Sequence, residues 1–175
     1  DQLTAAHQRL LADVRARLTD YAITLWAGLG SWRDSDIDRF VELMLPRVLA
    51  GRRQVARLTD AYIAQLAGSA AAGVIDLAAI RGIPDADVYR RPAKALYGEL
   101  AEGKALDIAQ TVATTRLIAL IATDMQMTQV RQAHRSMRNS GVQFYRRVLG
   151  GGGDCALCMI ASTQRYRKGD LMPIH

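Results

Sequence analysis

Aromatic side chains are scarce in this chain: Phe, Trp and Tyr make up 6% of 175 residues, although half of all residues are hydrophobic. The apolar positions therefore fall mainly to Ala, Leu, Ile and Val, a mixture that suits helix packing better than sheet. Lysine is scarcer still, with 3 Lys against 20 Arg. The formal charge of +6 is thus carried by planar guanidinium forks that match carboxylates and phosphates. That bias is compatible with an acidic protein partner or nucleic acid, and equally with GC-rich coding. The two cysteines, Cys155 and Cys158, are too few and too close for a disulfide framework, so nothing in them marks a secreted protein. The longest apolar run, Leu117 to Ala122, falls far short of the ~20 residues of a membrane span. The charged, amphipathic start has no apolar signal-peptide core. A soluble protein with no membrane partner is expected. The chain starts at Asp1 without a methionine and breaks off at His175, so both ends are expected to be trimmed relative to a longer product.

What is present is helical periodicity. Leu3, Leu10, Val14, Leu18, Tyr21 and Leu25 form one stripe of a first helix, with Arg9, Arg15 and Arg17 off it, ending near Gly28 and Gly30. Ser35 reads as the N-cap of a second helix, with Asp36 and Asp38 in its first turn. Its stripe runs through Ile37, Val41, Met44, Val48, Val55, Leu58 and Tyr62 to about Leu66, and Pro46 inside it predicts a kink or break. The Ala-rich run from Gly68 reads as a short helix before a turn at Gly82 to Pro84. The segment from Asp85 resumes the helical pattern, with Pro92 acceptable in a first turn. From about Lys104 to Asn139 there is no Gly or Pro, and Leu106, Val112, Leu117, Ile121, Met125 and Val130 recur. This predicts the longest helix, roughly 50 Å, with Arg131, Arg135 and Arg138 at its negative end. The fold class is mainly α: an extended helical body over 1–140, followed by the start of a small α+β module over 141–175.

The module opens with the β-formers of "VQFYRRVL", a tetraglycine turn, and "DCALC". A C-x-x-C can be a redox pair, half of a zinc site, or two buried small hydrophobes. Redox use wants a thioredoxin-like βαβ context, and no such strands precede it. Zinc would need two further ligands, of which His175 is one candidate and the other lies beyond the chain. The candidate metal ligands are therefore Cys155, Cys158 and His175.

The run "YRRVLGGGGDCALCMIASTQRYRKGDLMPIH" resembles the C-terminal signature of MuF-like minor capsid proteins, the head morphogenesis proteins of tailed bacteriophages, in their actinobacteriophage branch. That signature joins an Asp-Cys-x-x-Cys, a short apolar helix, a Tyr-containing hairpin and a Pro-x-His, then a further pair of cysteines. Asp154, Cys155, Cys158, Ala161, Tyr166, Gly169, Pro173 and His175 match in order, and the closing pair is absent. The resemblance implies a structural virion component inside the capsid near the portal vertex, present in the host cytoplasm during assembly. Its partners would be the portal protein, other capsid or scaffold proteins and packaged DNA. Zinc in the full-length protein is the cofactor it suggests. The helical portion carries no motif of its own.

The alternative function is a capsid maturation protease. Such an enzyme needs a nucleophile beside a general base with an orienting group. The histidines are His7, His134 and His175, and the surroundings of Ser31, Ser136 and Ser162 do not resemble a nucleophile elbow. A Cys/His site from Cys155 or Cys158 with His175 is conceivable, yet no catalytic residue is assigned. DNA binding would fall on Met125 to Gly153, which contains Arg131, Arg135, Arg138, Arg146 and Arg147 but no Asp or Glu. His134 reads as a surface or interhelical polar residue, and Trp26 and Trp32 as packing anchors. The Ala-rich stripes of the first helices are expected to face another chain rather than to close a bundle.

Overall fold

Apolar residues at three- and four-residue spacing organise five helices in the computed structural model, which describes residues 2–146 and 162–167. They are α1 (Gln2–Ala27), α2 (Asp34–Ala67), α3 (Asp85–Tyr89), α4 (Arg91–Ala101) and α5 (Leu106–Arg138). Strands β1 (Phe144–Tyr145) and β2 (Tyr166–Arg167) follow, and the protein is mainly α.

α1 and α2 form an antiparallel pair. Trp26, near the end of α1, meets Phe40, near the start of α2, edge to face at 5.3 Å. At the opposite ends His7 stacks on Tyr62 with centroids 4.2 Å apart, and Thr4 and Tyr62 share a hydrogen bond of 3.0 Å. α5 runs alongside α2 in the same direction, because Arg52 meets Asp124 and, further along both helices, Asp60 meets Ser136. The crossover that makes these helices parallel is the chain from 68 to 84 together with α3 and α4. A short turn over 102–105 reverses α4 into α5.

The core is built from the inner faces of all five helices. Val14, Leu18, Phe40, Met44, Val48, Val55, Val88, Leu96, Leu117 and Ile121 are buried in one cluster. Each such side chain contributes about 1.5–3 kcal/mol of transfer free energy. Ala22, Ala93, Ala109 and Ala113 are also buried there, and small residues at these positions let helix backbones approach. Closest of all is Gly51, where an added Cβ would lie 3.3 Å from Leu18 Cδ2 and 3.4 Å from Met125 Sδ, so α1, α2 and α5 meet at a residue with no side chain.

Several sequence expectations change here. The stripes of α1 and α2 close on α5 within the chain instead of awaiting a second one, because the small residues bring the helices into contact. Leu10, at 48% exposure, is left outside. Arg33, not Ser35, is the N-cap of α2, and Asp36 stabilises the entry by accepting the Ser31 N–H (3.2 Å) and hydroxyl (2.6 Å). Pro46 lies within an unbroken α2: it removes one hydrogen bond on the solvent side while Met44 and Val48 anchor the inner face. At 34 residues α2 exceeds α5, with 33, by one residue, because α5 begins at Leu106.

The Ala-rich run from Gly68 forms no helix. Residues 70–77 carry no regular structure, and Gly73 has φ +81°, outside the helical region. Side chains of α2 and α5 satisfy its backbone instead. By length and composition α5 could cross a membrane, with a mean hydropathy of 1.2 in its best window. In the bundle one face of α5 packs inward, 28% of that window being buried, and the face it turns to α2 carries Asp124, Thr128, Gln132 and Ser136, all buried.

Candidate functional site

Two buried polar clusters lie between α2 and α5, and both hold the crossover. The first centres on Arg52, 1% exposed, which follows Gly51 on the core face of α2. Its Nε and Nη2 donate to Asp124 Oδ1 (3.2 Å) and Oδ2 (2.8 Å), a bidentate fork onto α5. Nη1 and Nη2 donate to Asp85 Oδ2 and Oδ1, both at 2.8 Å, a second fork onto the first residue of α3. The remaining Nη1 proton goes to the Leu77 carbonyl of the crossover at 2.8 Å. All five guanidinium donors are thereby used. Tyr89 donates its hydroxyl to Asp124 Oδ2 at 2.8 Å.

Burial alone would lower the Arg52 pKa, but hydrogen bonds and charge from Asp85 and Asp124 outweigh it and push the pKa up. The Tyr89 hydroxyl is likewise pushed up, first by burial and then by the Asp124 charge. Arg52 therefore stays charged and Tyr89 neutral across the physiological range. With its donors saturated, Arg52 offers no N–H to a ligand.

The second cluster lies two turns further along α2. Asp60 accepts the N–H of Ala72 (3.1 Å) and of Gly73 (2.9 Å), and the Ser136 hydroxyl at 2.5 Å. Gln132 accepts the Ile75 N–H at 3.0 Å and donates to the Gly73 carbonyl at 3.0 Å, where Arg135 Nε also donates at 3.2 Å. Burial works to raise the Asp60 pKa, but the bonds from Ser136, Ala72 and Gly73 prevail and hold it below the usual carboxylate value. Ser136 is thus an orienting donor, and its hydrogen-bond partners are Asp60 and Gln132, not an imidazole.

The sequence reading missed both clusters. The available signal was an Asp, a Gln and a Ser at helical spacing on the inner face of α5, facing an Arg and an Asp eight residues apart on α2. A stripe defined by apolar residues alone passes over them.

No protein-family model, curated protein or solved structure matches this chain. The assignment of the site therefore rests on the residues themselves.

Of the candidate metal ligands, Cys155, Cys158 and His175 all lie outside the described residues, as does Arg147. Among the described residues no group of three or more His, Cys, Asp or Glu could hold a metal ion. The flanks of the cysteine segment are described. β1 and β2 pair antiparallel, with Phe144 opposite Arg167 and Tyr145 opposite Tyr166, whose rings stack at 5.4 Å. Residues 146 and 165 are therefore brought close, and the sequence between them contains both cysteines.

Arg131, Arg135 and Arg138 share the outer face of the last turns of α5 and are exposed, while Arg146 is exposed just past β1. Arg135 is partly committed to Gly73. His134 is half-buried, with a buried Nε2 that has no hydrogen-bond partner. His7 is stacked on Tyr62 and its pKa is lowered by burial. Trp26 is a core residue and Trp32 packs against the core, as expected of anchors. The Trp32 carbonyl accepts the Tyr97 hydroxyl, tying the α1–α2 turn to α4.

Proposed function

We propose that this chain is a non-enzymatic structural protein of a tailed-phage head, docked at the portal vertex by its helical body and acting in head assembly and in DNA packaging or delivery. The observation that carries this reading is the β1–β2 pair. It pairs Phe144 and Tyr145, just past α5, with Tyr166 and Arg167 of the run that resembles the MuF-like minor capsid proteins, which supports a unit following the helical body. The helical body supports it in kind, because the saturated Arg52 and Asp60 clusters lock α2, α5 and the crossover into a rigid surface. Exposed apolar residues lie at both ends of the paired helices, Leu43, Leu106 and Ile108 toward one end and Leu66 at the other, and offer a partner contact points along the body. In the full-length protein the cysteine module holds one zinc as a structural staple, since so small a unit buries too little to fold alone.

The test is co-expression of the full-length protein with the portal protein of the same phage, followed by size-exclusion chromatography and electron microscopy. Co-elution with the portal ring, unaffected by replacing Cys155 and Cys158 with Ser, is the expected result. No association, together with loss of head-protein processing in the double cysteine variant, would favour the maturation protease instead.

A further inference from the structure

Arginine dominates one open cleft of about 240 Å³. Arg81 enters it from the crossover, Arg91 from the first residue of α4 and Arg116 from the middle of α5, over a floor that includes Pro92 and Leu120. No carboxylate lines it. The neighbouring Arg90 is ion-paired with Asp38, and Arg52 is saturated, whereas none of these three has an acidic partner among the described residues. Arg81 is the most constrained of them. Its Nη2 makes only a long 3.5 Å bond to the Leu120 carbonyl, and its Nε is buried without any partner. Thr123, also on the wall, already donates its hydroxyl proton to Ala119 at 2.7 Å. The hydrogen-bonding capacity left facing the cleft is therefore guanidinium N–H, and the complementary ligand is an acceptor-only anion. The positive N-terminal end of α4 adds to the same field.

We propose that this cleft binds a phosphate group. A carboxylate is filled by one bidentate fork, whereas a phosphate presents enough oxygens, tetrahedrally disposed, to engage forks arriving from three elements. Binding would also relieve the mutual repulsion of three unneutralised cations against an apolar floor. The inference does not depend on the head-protein reading. It concerns residues distinct from the arginines at the end of α5.

The experiment uses the whole 175-residue chain at fixed ionic strength with two probes: inorganic phosphate followed by ³¹P NMR, and a fluorescein-labelled 20-nucleotide single strand followed by anisotropy. Arg91→Gln with Arg116→Gln removes two exposed forks, and Arg9→Gln with Arg15→Gln removes equal charge from the exposed side of α1, away from the cleft. Thermal melts by circular dichroism confirm that both variants fold. The cleft variant is expected to weaken at least one probe by about tenfold or more, the loss of two charge-assisted contacts, while the control changes it less than about twofold. Loss confined to the phosphate arm identifies a free phosphate ligand, and loss in the oligonucleotide arm a phosphodiester. If wild-type protein binds neither probe, if the cleft variant binds both as wild type does, or if the control loses as much as the cleft variant, the proposal is overturned.

Discussion

Arg52 is the residue on which most of the interior converges, with one cation shared by two carboxylates, a carbonyl and, through Asp124, a tyrosine. Truncating one member of such a buried pair leaves the other charge uncompensated. Asp124→Ala is expected to cost about 3–5 kcal/mol in chemical denaturation, and a loss below about 1 kcal/mol would show that Asp85 alone compensates the guanidinium. Two other residues with buried partners contribute to the acid limb of stability, beside the exposed Asp36 that the Ser31 hydroxyl also holds low. His7 has its pKa lowered by burial, so the unfolded chain takes up that proton first, and stability should fall as pH drops through the ordinary value of 6.5. Asp60 is held below 3.8 despite burial by its Ser136 and backbone bonds, so its contribution is present above 3.8 and is lost as pH falls further toward its folded value. Denaturation midpoints measured from pH 8 to 3 should decline in these two stages. His7→Phe, which keeps a ring against Tyr62, should remove the first stage and leave the second.

The crossover from 68 to 84 is the element where composition and structure part. Its alanines have high helix propensity, yet its N–H and carbonyl groups are taken by Asp60, Gln132 and Arg135, residues 12 to 62 positions away in sequence. Local pattern cannot report partners at that distance. The long helices were legible because period-3.6 apolar residues mark their faces, down to the buried Val14, Leu18, Met44, Val48, Leu117 and Ile121. Leu106 was misjudged for the same reason the clusters were missed: the buried face of α5 mixes Ala109 and Ala113 with Asp124, Gln132 and Ser136, while Leu106 is 47% exposed. Of the candidate site, the β-formers at Phe144 and Tyr145 could be read and form β1, whereas its pairing with Tyr166 and Arg167, about twenty residues on, left no local signal; residues 168 to 173 of the expected hairpin lie outside the described residues. Gln132→Ala removes the partner of the Ile75 N–H and one partner of the Gly73 carbonyl. It should cost about 1–3 kcal/mol and speed amide exchange at Ile75 more than in the core of α2. Equal exchange in wild type and variant would mean that Asp60 holds the segment by itself.

Across the molecule, an antiparallel α1–α2 pair and a parallel α2–α5 pair share one core, and the β1–β2 pair follows the end of α5. The proposed division into a helical body and a cysteine module predicts that the two parts fail independently. Replacing Cys155 and Cys158 by Ser should abolish zinc uptake in the full-length protein, measured by elemental analysis, while the helical circular dichroism signal stays within a few per cent of wild type. Loss of the helical signal would show that the body depends on the module. Docking of the helical body at the portal vertex, as proposed, is read by cross-linking mass spectrometry on purified phage heads. Docking there gives cross-links from Lys94 or Lys104 on the helical body to the portal protein, and heads in which this chain is present as an uncleaved component. Heads that lack the chain, or in which it cross-links only to the outer shell, would contradict it.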